Sequence, residues 1–191
     1  MPPASVTYTV LAAALFAVPV AGSSVDGSFA EPPCTSAPYR AFNFWLGDWV
    51  VRDSTGREIG RNRIRSVAGG CALLESWTSA KGSTGTSLNF YDPDSGRWTQ
   101  VWVGESGVRL RLEGGRRGDA MVLEGTRSRG DTVLRDRITW TPHEDGTVEQ
   151  RWDVSTDDGR SWTASWLGTY HPAPAAGKKP AFPSAWVANL R

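Results

Sequence analysis

Histidine and cysteine are nearly missing from this 191-residue chain, which holds two of each: His143, His171, Cys34 and Cys71. The four share no metal-ligand spacing, so no metal site of the zinc type is expected. They supply no Ser/His/Asp or Cys/His set for nucleophilic catalysis either. An excess of one charge is missing too. The 21 Lys and Arg against 20 Asp and Glu leave a net charge of +1, without the footprint that nucleic acid or an anionic membrane surface demands. No window carries apolar residues at helical spacing, which argues against a helix-built fold. The apolar run over residues 10–20 is too short to span a bilayer.

Tryptophan is what the chain has in plenty, ten copies against six Phe and four Tyr. Indole is costly to leave wet, and its N–H needs a partner when buried. So many in a small domain point to a lined internal surface as well as a core. Over residues 44–171, turn residues recur at short intervals, at 53–56, 69–70, 81–83, 92–96, 104–107, 114–115, 128–130, 142–146 and 156–159. Between them the residues alternate with period two. That gives about ten strands in sequence order, with no connection long enough for a crossover. The fold expected is all-β, a single antiparallel up-and-down barrel of about ten strands, closed so that no edge is exposed. One turn is specific. Ser155-Thr156-Asp157-Asp158-Gly159-Arg160-Ser161-Trp162 fits the Asp-box pattern Ser-x-Asp-x-Gly-x-(Ser/Thr)-Trp, whose carboxylate caps backbone N–H groups while Trp packs beneath. It occurs once, supports a hairpin, and argues nothing about glycosidase chemistry.

Alternation sorts each strand into two faces. In the ninth, Val148, Gln150, Trp152 and Val154 oppose Glu149, Arg151 and Asp153, so the charged set faces water and the other faces inward. In the same way Leu73, Glu75 and Trp77 face inward from the third strand, and Ser87, Asn89 and Tyr91 from the fourth. Trp98, Gln100 and Trp102 do so from the fifth, and Leu134, Asp136, Ile138 and Trp140 from the eighth. The tenth contributes Trp162, Trp166 and Tyr170, while Arg135 and Arg137 fall on the outer, solvated face. Several polar groups therefore sit among indoles, where an unpartnered one costs about 1–3 kcal/mol. They form an internal hydrogen-bond network, or they are polar handles in an apolar cavity. Both readings stand at this level. The candidate ligand-binding set is Glu75, Trp77, Asn89, Tyr91, Trp98, Gln100, Trp102, Trp140, Gln150 and Trp152. Candidate catalytic residues reduce to Glu75 and Asp136, able to act as an acid–base pair if apolar burial raises one pKa.

The apolar run at 10–20, followed by small residues, reads as an export signal. Residues 1–30 are therefore expected to be a signal peptide and short linker, 34–171 the barrel, and 172–191 a Pro/Ala-rich tail. In an exported chain Cys34 and Cys71 are most simply a disulfide, with two free buried thiols as the alternative. The expected location is secreted or periplasmic, with no transmembrane segment in the mature chain.

Gly47-Asp48-Trp49 is similar to the Gly-x-Trp of lipocalins. With the strand pattern above, the chain resembles the calycin superfamily of lipocalins, fatty-acid-binding proteins and nitrobindin-like barrels. Phe42 to Trp49, Gly70-Cys71-Ala72-Leu73-Leu74-Glu75, Asn89-Phe90-Tyr91-Asp92-Pro93 and Arg137-Ile138-Thr139-Trp140-Thr141-Pro142 resemble an uncharacterised family of exported bacterial proteins. The resemblance covers about residues 34–170 and implies a barrel closed at one end by Gly47 and Trp49. It brings no activity with it. A lipocalin Thr-Asp-Tyr element is absent, and residues 52–58 are too few for the helical lid of fatty-acid-binding proteins. A nitrobindin-like site would use a proximal His for haem iron. His171 alone is placed for that, and beside a Pro-rich tail it reads as a rim residue, so no cofactor is expected. The leading expectation is a small barrel, monomer or weak dimer, that binds a hydrophobic or amphipathic small molecule. The alternatives are an envelope or partner-binding protein, and a cofactor-free cyclase or isomerase using Glu75 and Asp136.

Overall fold

The computed structural model describes residues 34–174. The export run, and the tail after residue 174 with Trp186, lie outside the described residues. Ten strands follow one another: β1 (Gly47–Arg52), β2 (Glu58–Val67), β3 (Ala72–Ser79), β4 (Thr84–Asp92) and β5 (Arg97–Gly104), then β6 (Arg109–Arg117), β7 (Ala120–Arg129), β8 (Thr132–Pro142), β9 (Val148–Ser155) and β10 (Thr163–Pro172). Each pairs with the next, and β1 pairs antiparallel with β10, so the meander closes into one barrel. The short turns leave no alternative, since neighbouring strands joined by so few residues can only run antiparallel. No helix among the described residues is long and apolar enough to cross a membrane.

One end of the barrel is stoppered from within by the segment that precedes β1. A single helical turn α1 (Ala37–Arg40) and a 3-10 turn (Asn43–Trp45) carry Phe42 and Trp45 into the barrel, where neither has any exposed surface. Phe42 stacks on Trp45 with centroids 5.0 Å apart, and meets Trp98 and Trp140 edge to face at 5.6 and 5.0 Å. Side chains of this size bury about 150–250 Å² each, so this aromatic knot supplies a large share of the core's apolar burial. Trp49 donates from Nε1 to the Trp45 carbonyl at 2.9 Å, and Trp98 from Nε1 to that of Pro38 at 3.0 Å, so both indoles hold the stopper in place. A Cys34–Cys71 disulfide ties the same segment to the start of β3 across 37 residues. Closing a loop of that length stabilises a fold by about 4 kcal/mol in the chain-entropy picture.

Three local expectations need correction. Gly114 and Gly115 are not a turn: they lie inside β6, and the chain reverses at Gly118, whose φ is 61°. Gly114 is required by a close approach, because a Cβ there would sit 2.1 Å from the Val122 carbonyl oxygen. Trp162 does not face inward. The β9–β10 register slips between Ala164 and Trp166, and this bulge reverses the phase of everything before it. Trp162 instead covers the outer face, 4.0 Å beneath the Arg137 guanidinium, and donates from Nε1 to the Gly159 carbonyl at 3.0 Å. Asp153, on the outer face of β9, is not wet. It is 4% exposed and paired with Arg151 at 2.9 Å. The hairpin around Asp157 forms as its sequence implies: the carboxylate accepts from the Ser161 N–H (2.9 Å), Ser161 Oγ (2.6 Å) and Ser155 Oγ (2.7 Å). Those donors, Ser161 foremost, hold its pKa down at about 2.

Candidate functional site

Opposite the stoppered end the barrel is not filled. A cavity of about 190 Å³ lies among inward side chains of six strands. Its indoles are Trp77 (β3), Trp102 (β5), Trp152 (β9) and Trp166 (β10), all half-buried and so at the mouth. Three of these rings owe their position to glycine. A Cβ on Gly60 would fall 2.3 Å from the Trp77 ring, one on Gly85 2.2 Å from Trp102, and one on Gly168 2.6 Å from Trp166. With no side chain beneath them, the rings lie back against the sheet, and the space they would otherwise occupy stays open. Trp77 and Trp166 meet edge to face at 6.1 Å. Leu110 on β6 and Ile138 on β8 make the apolar wall.

Deeper in, Glu75, Gln100, Gln150 and Tyr170 complete the lining. They belong to a continuous polar arc around one side of the barrel. Gln100 Nε2 donates to Asn89 Oδ1 (2.8 Å), Asn89 Nδ2 to Ser87 Oγ (2.8 Å), and Ser87 Oγ to Glu75 Oε2 (2.5 Å). On the other side Asn62 Nδ2 donates to Glu75 Oε1 (2.6 Å) and to the Tyr170 hydroxyl (3.2 Å), which donates to Gln150 Oε1 (2.5 Å). Glu75 is 4% exposed. Its removal from water outweighs the two donors and pushes its pKa up to about 7. Burial, with Glu75 close by, likewise raises the Tyr170 phenol, which stays protonated. Amides, hydroxyls and a carboxyl group from β2–β5, β9 and β10 face Leu110, Leu112, Leu123 and Ile138 of β6–β8, and β7 and β8 add the inward Arg127–Asp136 pair.

Asp136 plays a different part. Fully buried, it accepts from Arg127 Nε at 2.9 Å and from Trp152 Nε1 at 2.8 Å. It does not line the cavity, so the two carboxylates do not converge on one open space. Arg127 also lies over the Trp152 ring at 5.7 Å. Trp152 is thereby fixed on its N–H edge and on one face.

Of the ten ligand-binding candidates, Glu75, Trp77, Gln100, Trp102, Gln150 and Trp152 line the cavity. Asn89 stands behind Gln100 in the arc. Tyr91, Trp98 and Trp140 belong to the stoppered end, where Trp140 packs against Phe42 and Trp45. Trp49 joins them there, over Tyr170, with its ring 3.4 Å from where a Gly47 Cβ would lie. His171 follows the buried Tyr170 and takes the alternate face of β10, in register with Val50. Among the described residues no group of three or more His, Cys, Asp or Glu side chains could hold a metal ion. No protein-family model matches this chain, and no curated protein matches it.

Proposed function

We propose that this protein is an exported, calycin-like barrel that binds a small hydrophobic or amphipathic molecule at its open end. The cavity of about 190 Å³, walled by four indoles and floored by polar groups, carries the reading. Apolar walls with a few convergent polar atoms are the usual make-up of a small-molecule site. Its size sets a bound. Sites for drug-sized ligands run to about 300–1,000 Å³, so what is held is about the size of a ring, or is the head of a longer molecule whose remainder leaves by the mouth. The export reading rests on the apolar run at residues 10–20 and on the disulfide, which belongs to an oxidising compartment. Native mass spectrometry of the protein from its own host should reveal a retained adduct. Indole fluorescence should then respond saturably to the recovered compound and lose that response in Trp102→Ala. An empty protein whose fluorescence ignores a panel of small apolar and amphipathic compounds would refute the reading.

A second reading, attachment to a protein partner, draws on the outside of the sheet. Leu74, Leu88 and Val101 are cross-strand neighbours on β3, β4 and β5 and about 40% exposed each. Sedimentation of the purified protein, with and without Leu88→Lys, tests whether that row associates.

A further inference from the structure

The cavity has an electrostatic character that its apolar walls alone do not convey. One carboxyl group, Glu75, lies in its lining, and among the described residues no Lys, Arg or His does. Asn62 and Ser87 hold the two carboxyl oxygens by donating to them. Both are neutral, so they fix the group without compensating its charge. Arg127, part-buried on the barrel's inner face, is already engaged by Asp136 and lies outside the lining. Four indole rings surround the same space, three of them laid back over glycines. An indole face carries partial negative charge and attracts cations most strongly of all side-chain rings.

Resting on the binding reading above, we propose that the group held in this cavity is a compact organic cation, an alkylammonium or similar amine head, with Glu75 as its counter-ion and Trp77, Trp102, Trp152 and Trp166 as its walls. The volume agrees with that occupant. An apolar cavity of about 150 Å³ accepts benzene, so about 190 Å³ accepts a trimethylammonium group or a small aryl amine. An anion would meet Glu75 in a low-dielectric space with no basic side chain to receive it. A neutral apolar molecule would fill the space and leave the carboxyl group unused.

The pH dependence follows from the groups that face Glu75. Asn62 from β2 and Ser87 from β4 do not titrate. Tyr170 from β10 keeps its proton. Arg127 and Asp136, from β7 and β8, answer each other. Glu75 therefore changes charge alone, near pH 7. Because only the ionised form serves as counter-ion, affinity for a permanent cation should improve about tenfold from pH 6 to pH 8.

The test uses three probes of similar size, titrated against indole fluorescence: benzyltrimethylammonium, its uncharged carbon isostere neopentylbenzene, and phenylacetate. Benzyltrimethylammonium should bind about tenfold more tightly than the isostere at pH 8. That advantage should shrink at pH 6 in the unaltered protein and disappear in Glu75→Gln, with the isostere unaffected by either change. The pH series needs no variant, so a Glu75→Gln protein that failed to fold would not remove the test. Equal or tighter binding of neopentylbenzene, or preference for phenylacetate, would overturn the cation inference while leaving a small-molecule barrel. No response to any probe would overturn both.

Discussion

Replacing Glu75 by glutamine isolates the desolvation cost of a carboxyl group buried in the barrel interior. The Glu75 carboxyl moves from an ordinary value of 4.5 to about 7, with burial as the leading cause and the Ser87 and Asn62 donors working against it. The folded state thus holds a proton that the unfolded chain gives up sooner. Stability from this group is complete below about pH 4.5 and is lost as the pH climbs to about 7, after which the loss is constant. At about 1.4 kcal/mol per pH unit, the difference between the two values amounts to about 3 kcal/mol. The amide of the Glu75→Gln variant would neither gain nor lose a proton in this range. Its carbonyl can accept from Asn62 or Ser87, and any change in those bonds is a constant offset. The free energy of Glu75→Gln minus that of the unaltered protein should therefore rise by about 3 kcal/mol between pH 4 and pH 8, read from urea unfolding at half-unit intervals. A difference that stays flat within about 1 kcal/mol would refute the argument. One that falls with pH would show that the donors, and not desolvation, govern this carboxyl group.

Other substitutions probe the two ends of the barrel. Gly85→Ala places a methyl 2.2 Å from the Trp102 ring; it should cost about 1–3 kcal/mol by overpacking and shift Trp102 emission as the ring swings into the cavity. Trp140→Ala removes a fully buried indole packed on Phe42 and Trp45 and should lose about 3–5 kcal/mol. Trp77→Ala, at the half-exposed mouth, should lose clearly less in the same denaturation assay. Reduction of Cys34–Cys71, or the paired Ser variant, should lower stability by about 4 kcal/mol, measurable as a lower urea midpoint with a steeper slope as the unlinked unfolded chain expands.

The barrel itself was legible because its turns are chemically marked and its strands alternate cleanly. In β9 the Val148, Gln150, Trp152 set faces inward as written, and Glu75, Ser87, Asn89, Gln100 and Asp136 are all buried where the period of two places them. What was hidden depends on register instead of composition. The bulge before Trp166 lies among Thr163, Ala164 and Ser165, small residues that carry no phase of their own. Gly60, Gly85 and Gly168 read as weak strand residues until pairing sets each beneath an indole ring. The stopper was written in Phe42 and Trp45, three residues apart outside any alternation. That spacing brings both rings to one side of a helical turn and was a usable signal. Asp136 could also have been paired earlier: Leu123, Gly125 and Arg127 share a face of β7, so a cation was due inside the barrel near that carboxylate. The division of tryptophans between core and cavity had no sequence signal, since both groups alternate identically.

The join between β1 and β10 has a kinetic consequence. Val51 and Tyr170 are partners although they stand near opposite ends of the barrel sequence, whereas every other pairing is between sequence neighbours. Loop-closure entropy makes that single long-distance zipper the costliest one to nucleate. The nine hairpins can form locally, and the cylinder becomes a cylinder when its first and last staves meet. Unlatching there would open a lateral slit beside Tyr170, a second way for solvent to reach the interior besides the mouth. Amide hydrogens of residues 49–52 and 169–171 should accordingly exchange ahead of those in β3–β5.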